Sequence, residues 1–190
     1  MSRVDLQQAR ILDAAQKRMI KFGYRKVTMD ELASDLGMSK NTIYKYFASK
    51  ELIAVALVNR LQDEINSGLE RIEKAQSGSL KIFSYSIAFL RRQLGLWFAH
   101  FFKEVSLELP ELWREFMRFR NEKILDIRKH VERGIKRGEF RRVNPAIALE
   151  AYLGAIKAVV NPRFLEQEGL SFDKALDAVL DIWALGILKK

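Results

Sequence analysis

No cysteine occurs anywhere in the 190 residues, so neither a disulfide nor a thiolate metal site can form. That composition fits a reducing compartment. Histidine is scarce as well, with two in the chain. No glycine-rich phosphate loop and no Ser/His/Asp spacing is present either, so an enzyme is not expected and no cofactor is called for. Long hydrophobic runs are also missing. The longest, Leu94 to Phe102, is interrupted by His100 and is far too short to span a bilayer. The opening MSRVDLQQAR has no apolar signal core, so a soluble cytoplasmic protein without a membrane partner is expected. Strand-like alternation, repeats and low-complexity tracts are absent throughout, which leaves an all-α chain.

What is present is apolar content and positive charge. At 48% hydrophobic, the chain can bury a substantial core and has the length for two subdomains. Its net charge is +9, and residues 1–50 hold ten Lys or Arg against five Asp or Glu, more than half of that excess. A basic segment attracts polyphosphate. A basic membrane-surface helix is the weaker reading, because the opposite face of the first helix is needed for a small N-terminal core.

Apolar spacing and punctuation divide the chain into helices. The first runs from about Val4 to Phe22, burying Leu12, Ala15, Met19 and Phe22, and Gly23 ends it. Helix four runs from Lys50 to about Ala75, with Leu52, Val55, Ala56, Leu61 and Ile65 inward. Ser77-Gly78-Ser79 marks a loop. Leu80, Phe83, Ile87, Leu90, Leu94, Trp97 and Phe101 then form one continuous stripe, and Pro110 closes that region, with room for a short extra helix before it. A further helix spans Glu111 to Arg137 on Leu112, Phe116, Phe119, Ile127, Val131 and Ile135, stopped by Gly138. Asn144-Pro145 opens the next helix and Asn161-Pro162 closes it. Ser171 starts the last, which carries Leu176, Val179, Leu180, Trp183 and Ile187.

Residues Thr28 to Lys50, TMDELASDLGMSKNTIYKYFASK, carry the clearest functional signal. Thr28 and Glu31 have capping-box spacing. Leu32, Ala33 and Leu36 follow at helical spacing, and Gly37 supplies a residue that tolerates positive φ at a sharp turn. Ser39 caps the next short helix, whose Ile43 and Phe47 face inward. Lys40 with Tyr44, and Asn41 with Lys45, then form adjacent outward rows. Ser49 caps the helix after it. Lys40 and Lys50 each directly follow a cap, in a first turn that favours negative charge. A DNA phosphate docked there would reverse that objection, although exposed lysines carry only a small penalty in any case.

On these residues, together with ILDAA and FGY upstream, the sequence resembles the TetR family of transcriptional regulators from about Arg10 to Leu57. The resemblance implies a DNA-binding helix-turn-helix domain over residues 1–49 and an effector-binding and dimerisation domain over 50–190. Helix four, about 50–75, connects the two. It further implies base reading by Lys40, Asn41, Tyr44 and Lys45, and phosphate contacts at Thr28, Thr42, Tyr46 and Lys50, with Ser39 at the same surface. Side-chain chemistry agrees: lysine donates to guanine O6 and N7, and asparagine pairs with adenine N6 and N7. Simple packing would account equally for either tyrosine.

The helix from Pro145 to Val160 has almost no polar face, so it should be buried on several sides. Ala151, Gly154, Ala155 and Ala158 would let a second helix approach closely. A homodimer through the helices at about 145–160 and 172–187 follows, reading an inverted-repeat operator. Family members typically bind a small-molecule effector in the second domain. Trp97, Phe98, Phe101, Phe102, Trp113, Phe116, Phe119 and Tyr152 are candidate contacts, and equally describe an aromatic core. Their shortened set is Trp97, Phe101, Trp113, Phe116 and Tyr152, with Glu104 as the polar member. His100, Glu104 and Glu108 share a face at i, i+4 and i+8, an incomplete set for zinc. A polar ligand contact and an ordinary solvated face are the alternatives there. A repressor released by its effector is the resulting expectation. An activator of the same fold and a sequence-independent architectural protein are the rivals.

Overall fold

The computed structural model describes residues 3–159 and 162–189. Ten helices follow in order: α1 (Arg3–Phe22), α2 (Met29–Leu36), α3 (Lys40–Tyr46), α4 (Lys50–Ala75), α5 (Ser79–Ala99), α6 (Phe101–Glu108), α7 (Pro110–Lys136), α8 (Pro145–Val159), α9 (Pro162–Gln167) and α10 (Phe172–Ile187). Among the described residues the one β-type feature is an isolated bridge between Phe140 and Leu188. The all-α class holds. Val160, Asn161 and the Phe98 side chain, which enter the expectations above, lie outside what is described.

The chain packs as two units, Met1–Glu70 with Ala88–Asn121, and Arg71–Ile87 with Glu122–Lys190. In the first, Ile11, Ala15 and Met19 of α1, Leu32 and Ala33 of α2, Ile43 and Phe47, and Ile53, Ala54, Leu57, Val58, Leu61 and Ile65 of α4 are buried in one cluster. Trp97, Phe101, Phe102, Val105, Leu112 and Phe116 belong to the same cluster. In the second unit Phe83 stacks on Trp183 at 4.2 Å and meets Tyr152 edge-on at 5.3 Å. The Trp183 indole N–H donates to Ala148 O at 2.7 Å, tying α10 to α8.

Three expectations are corrected. Phe22 and Leu52 are exposed, and it is Ile53, Ala54, Leu57 and Val58 that turn inward in the first two turns of α4. The stripe from Leu80 to Phe101 is not one helix: it breaks at His100, and Phe101 begins α6. Pro162 does not only end a helix but starts the short α9, since proline at a first helical position removes a donor that would have no partner.

Gly68 of α4 sits where a Cβ would fall inside the ring of Phe89 on α5. Alanine is worth up to about 1 kcal/mol over glycine within a helix, but forcing the ring aside costs about 1–3 kcal/mol. Gly68→Ala should therefore lower the urea midpoint, and the additional change Phe89→Leu should restore much of the loss. A stabilised Gly68→Ala would show that the ring moves freely.

Candidate nucleic-acid interface

The Thr28–Lys50 segment forms two helices set by local chemistry. The Thr28 hydroxyl accepts from Glu31 N–H at 3.2 Å, and the Glu31 carboxylate accepts from Thr28 N–H at 2.9 Å. Gly37 closes α2 at φ 61°, the left-handed conformation that its sharp turn requires. Ser39 Oγ accepts from Thr42 N–H at 3.1 Å and lies 2.8 Å from the Thr42 hydroxyl. Ser49 Oγ accepts from Leu52 N–H at 3.2 Å to start α4. Ile43 is fully buried and Phe47 nearly so, which fixes the rotation of α3 about its axis.

That rotation turns Lys40, Asn41, Tyr44 and Lys45 to solvent, with Tyr44 41% exposed. Tyr46 is half-buried and packs against the core. The two tyrosines thus differ: one ring is outward, the other serves packing. Thr28 is exposed, as is Ser39, and both hydroxyls are engaged in caps. Thr42 is half-buried beside Ser39.

Ion pairs carry the orientation of this surface to the neighbouring helices. Arg18 of α1 reaches Asp35 through both Nε and Nη2, the latter 2.8 Å from Oδ1, and Glu31 through Nη1 at 3.3 Å. Arg60 of α4 lies 2.6 Å from Asp13 of α1 and 3.2 Å from Glu64. Lys40 is paired with Asp30 at 2.8 Å, and that contact raises its pKa. None of these long-range pairs has a spacing signal in the sequence.

Lys50 does not project freely from its cap. Its ammonium donates to Tyr24 O at 3.1 Å, lies 3.5 Å from Arg25 O and sits over the Tyr24 ring at 4.3 Å. Partial burial lowers its pKa, against the nearby Glu104 and Glu108 charges that favour the cation. Burial, followed by the charges of Glu51 and Glu108, pushes the Tyr24 phenol up to about 12. On the other side of the same turn, Arg25 N–H donates to Glu104 Oε2 at 2.6 Å and its guanidinium meets Glu108 at 3.1 Å. The α1–α2 turn is thus gripped between a cation of α4 and two carboxylates of α6. His100 is exposed at the start of α6. Among the described residues no group of three His, Asp or Glu side chains is arranged to hold a metal.

The aromatic candidates fall into two places. Trp97 and Phe101 meet at 5.1 Å, Phe102 stacks on Phe116 at 4.1 Å, and Trp113 lies 6.1 Å from Phe116. These rings fill one another's space in the first unit. Tyr152, 1% exposed, belongs to the second unit with Phe83 and Trp183.

Known proteins share both the segment and the architecture. Residues 11–57 match the model for bacterial regulatory proteins of the tetR family. The Bacillus subtilis HTH-type transcriptional regulator YvaF is 24% identical over 90% of this chain and 90% of its own. The HTH-type transcriptional activator FasR of Mycolicibacterium smegmatis is 33% identical over 35% of this chain and 31% of its own. A transcriptional regulator from Saccharomonospora viridis, solved with choline, superposes with a TM-score of 0.83 at 19% identity, covering 98% of this chain and all of that one. One from Cytophaga hutchinsonii gives 0.74 at 21% identity, with 94% and 97% covered. The protein is a helix-turn-helix DNA-binding transcriptional regulator. Over residues 11–57 it resembles the tetR family of bacterial regulatory proteins.

The network around Arg18 predicts a pH signature. Hydrogen bonding to Arg18 holds the Asp35 carboxyl below its ordinary value; Glu31 is held down first by the Thr28 N–H, then by the Thr28 hydroxyl, with Arg18 adding to it. Both groups are depressed in the fold. The stabilisation is therefore complete above the ordinary carboxylate value of about 4 and is lost as pH falls through the lower folded values. Arg18→Gln should be less stable than the parent at pH 7, with the deficit shrinking as the solution is acidified below about pH 4. Urea midpoints at several pH values measure this. A deficit that does not change with pH would assign Arg18 a packing role instead.

Proposed function

We propose that the protein is a dimeric repressor that binds an inverted-repeat operator and is released by a small, largely apolar effector. The observation that carries this reading is α3 itself: a short helix anchored by Ile43 and Phe47, with Lys40, Asn41, Tyr44 and Lys45 left on its outer side. In the proposed complex those four side chains read base edges in the major groove. Thr28, Thr42, Tyr46 and Lys50 hold the phosphates, with Ser39 beside them. Residues 1–49 form the DNA-reading part. Residues 50–190 form the effector-binding and dimerisation part, and α4 joins the two.

Support for the dimer comes from the unpartnered sides of α8 and α10. Ile147, 69% exposed, with Ala151, Gly154 and Ala158 recurs at four- and three-residue steps on α8. Ala178, Ile182 and Leu185 do the same on α10, the last two 72% and 78% exposed. Large aliphatic side chains among small residues suit close helix–helix contact between copies, as a two-fold interface needs. Effector release would act through α6, whose carboxylates grip the α1–α2 turn. Of the proposed effector contacts, Trp97, Phe101, Trp113 and Phe116 lie on or beside α6 in the first unit, and Tyr152 belongs to the second. FasR is an activator, so the position of the operator relative to the promoter decides the direction of control.

Cytoplasmic location is part of the same proposal; among the described residues no helix is long and apolar enough to cross a membrane.

Selection of sheared genomic DNA by the protein at about 150 mM salt should enrich one inverted repeat, because non-specific binding weakens at that ionic strength. Tyr44→Ala should then bind the recovered repeat at least about tenfold more weakly, near its affinity for random duplex, with an unchanged circular dichroism spectrum. Retention of DNA without sequence preference would favour the architectural alternative. For the dimer, light scattering at micromolar concentration should give twice the chain mass, and Ile182→Lys should give the single-chain mass with helicity retained. A monomeric parent would refute the interface.

A further inference from the structure

Asp30 is the second residue of α2 and has no part in the cap that starts it, since Thr28 and Glu31 satisfy one another. It is also too exposed to serve the core: its side chain is 68% accessible. Its contact is the Lys40 ammonium, 2.8 Å away on the first residue of α3. Asn41, Tyr44 and Lys45 are exposed beside this pair.

We propose that Asp30 limits the affinity of this surface for DNA: by pairing with Lys40 in the free protein it imposes a cost on every complex in which Lys40 changes partner. The proposal rests on the reading of α3 as the DNA-reading helix. Lys40 occupies a helix first turn, where a lone cation is disfavoured, and the carboxylate ten residues earlier offsets that. To contact DNA, Lys40 must exchange Asp30 for a new acceptor. A guanine placed opposite it offers two, O6 and N7, and repays the exchange. A duplex without that base offers Lys40 only a phosphate, in competition with a carboxylate already in place. The penalty is thus general, and the compensation belongs to the cognate site.

Fluorescence anisotropy with a labelled random-sequence duplex and with the operator recovered by genomic selection tests this. Asp30→Asn should raise affinity for random duplex several-fold and steepen its salt dependence by about 0.9 in log–log slope for each phosphate newly neutralised. Operator affinity should rise by at least as much, because the same pair is broken there. Asp30→Glu, which keeps the charge, should behave as the parent. In a Lys40→Ala background the effect of Asp30→Asn on random duplex should largely disappear, because the partner is gone.

An unchanged affinity and slope for random duplex would overturn the proposal. A rise that persists without Lys40 would do so too, since it makes Asp30 a general repulsive charge. These outcomes are separable from failure of the α3 reading itself. That failure would appear as an operator affinity insensitive to both Asn41→Ala and Tyr44→Ala.

Discussion

Everything in the helix-turn-helix depends on the burial of Ile43 and Phe47. A helix of seven residues has no stability of its own in water, since nucleation alone outweighs what so few hydrogen bonds return. Burying those two side chains contributes about 1.5–3 kcal/mol each, and the Ser39 cap about 1 kcal/mol more. α3 therefore exists as part of a core and not as a separate element. Its rotation about its own axis is fixed by the same two anchors. Which side chains face outward is then no longer a free choice: with 43 and 47 inward, 40, 41, 44 and 45 are out.

The features that were legible in the sequence are those whose partners lie within four residues. The Thr28–Glu31 box, the left-handed Gly37, the Ser39, Ser49 and Ser171 caps and the Asn144 cap all appear as their spacing implies. Phase along α4 was not legible, for a physical reason. Residues 52–58, LIAVALV, contain no polar side chain, so nothing in that stretch says which side faces water. Leu52 reads as core and is exposed. The break between α5 and α6 falls at His100, with neither glycine nor proline to announce it, inside the most apolar segment of the chain. α8 shows the converse: its apolar sides were evident, but a single chain leaves Ile147 and its neighbours uncovered.

Partners distant in sequence were out of reach. Glu104 offered itself as a ligand contact because it shares a face with His100 and Glu108. In the fold, its carboxylate accepts from the backbone of Arg25, 79 residues earlier. Removing an acceptor from a backbone N–H at a turn loosens the turn, whereas removing a ligand contact would leave it intact. The same residue type at the same position thus has two different consequences, and periodicity along one helix cannot distinguish them. Arg18, 17 residues from Asp35, is a second case.

The cations of the helix-turn-helix are handled unequally, and this bears on how tightly such a surface holds DNA. Lys50 is held by the carbonyls and ring of the α1–α2 turn, and Lys40 by Asp30; among the described residues no ion pair engages Lys45. A surface with all three lysines free would bind any polyanion, because counterion release is indifferent to sequence. Pre-pairing two of them subtracts from that general affinity before any base is read. In the proposed complex, what remains depends more on contacts that Asn41 and Tyr44 would make to a particular sequence. Lys50 differs from Lys40 in one respect: its partners are neutral carbonyls and a ring, so its charge is not cancelled. It can hold the turn and attract a phosphate together, whereas Lys40 must give up one contact to make the other.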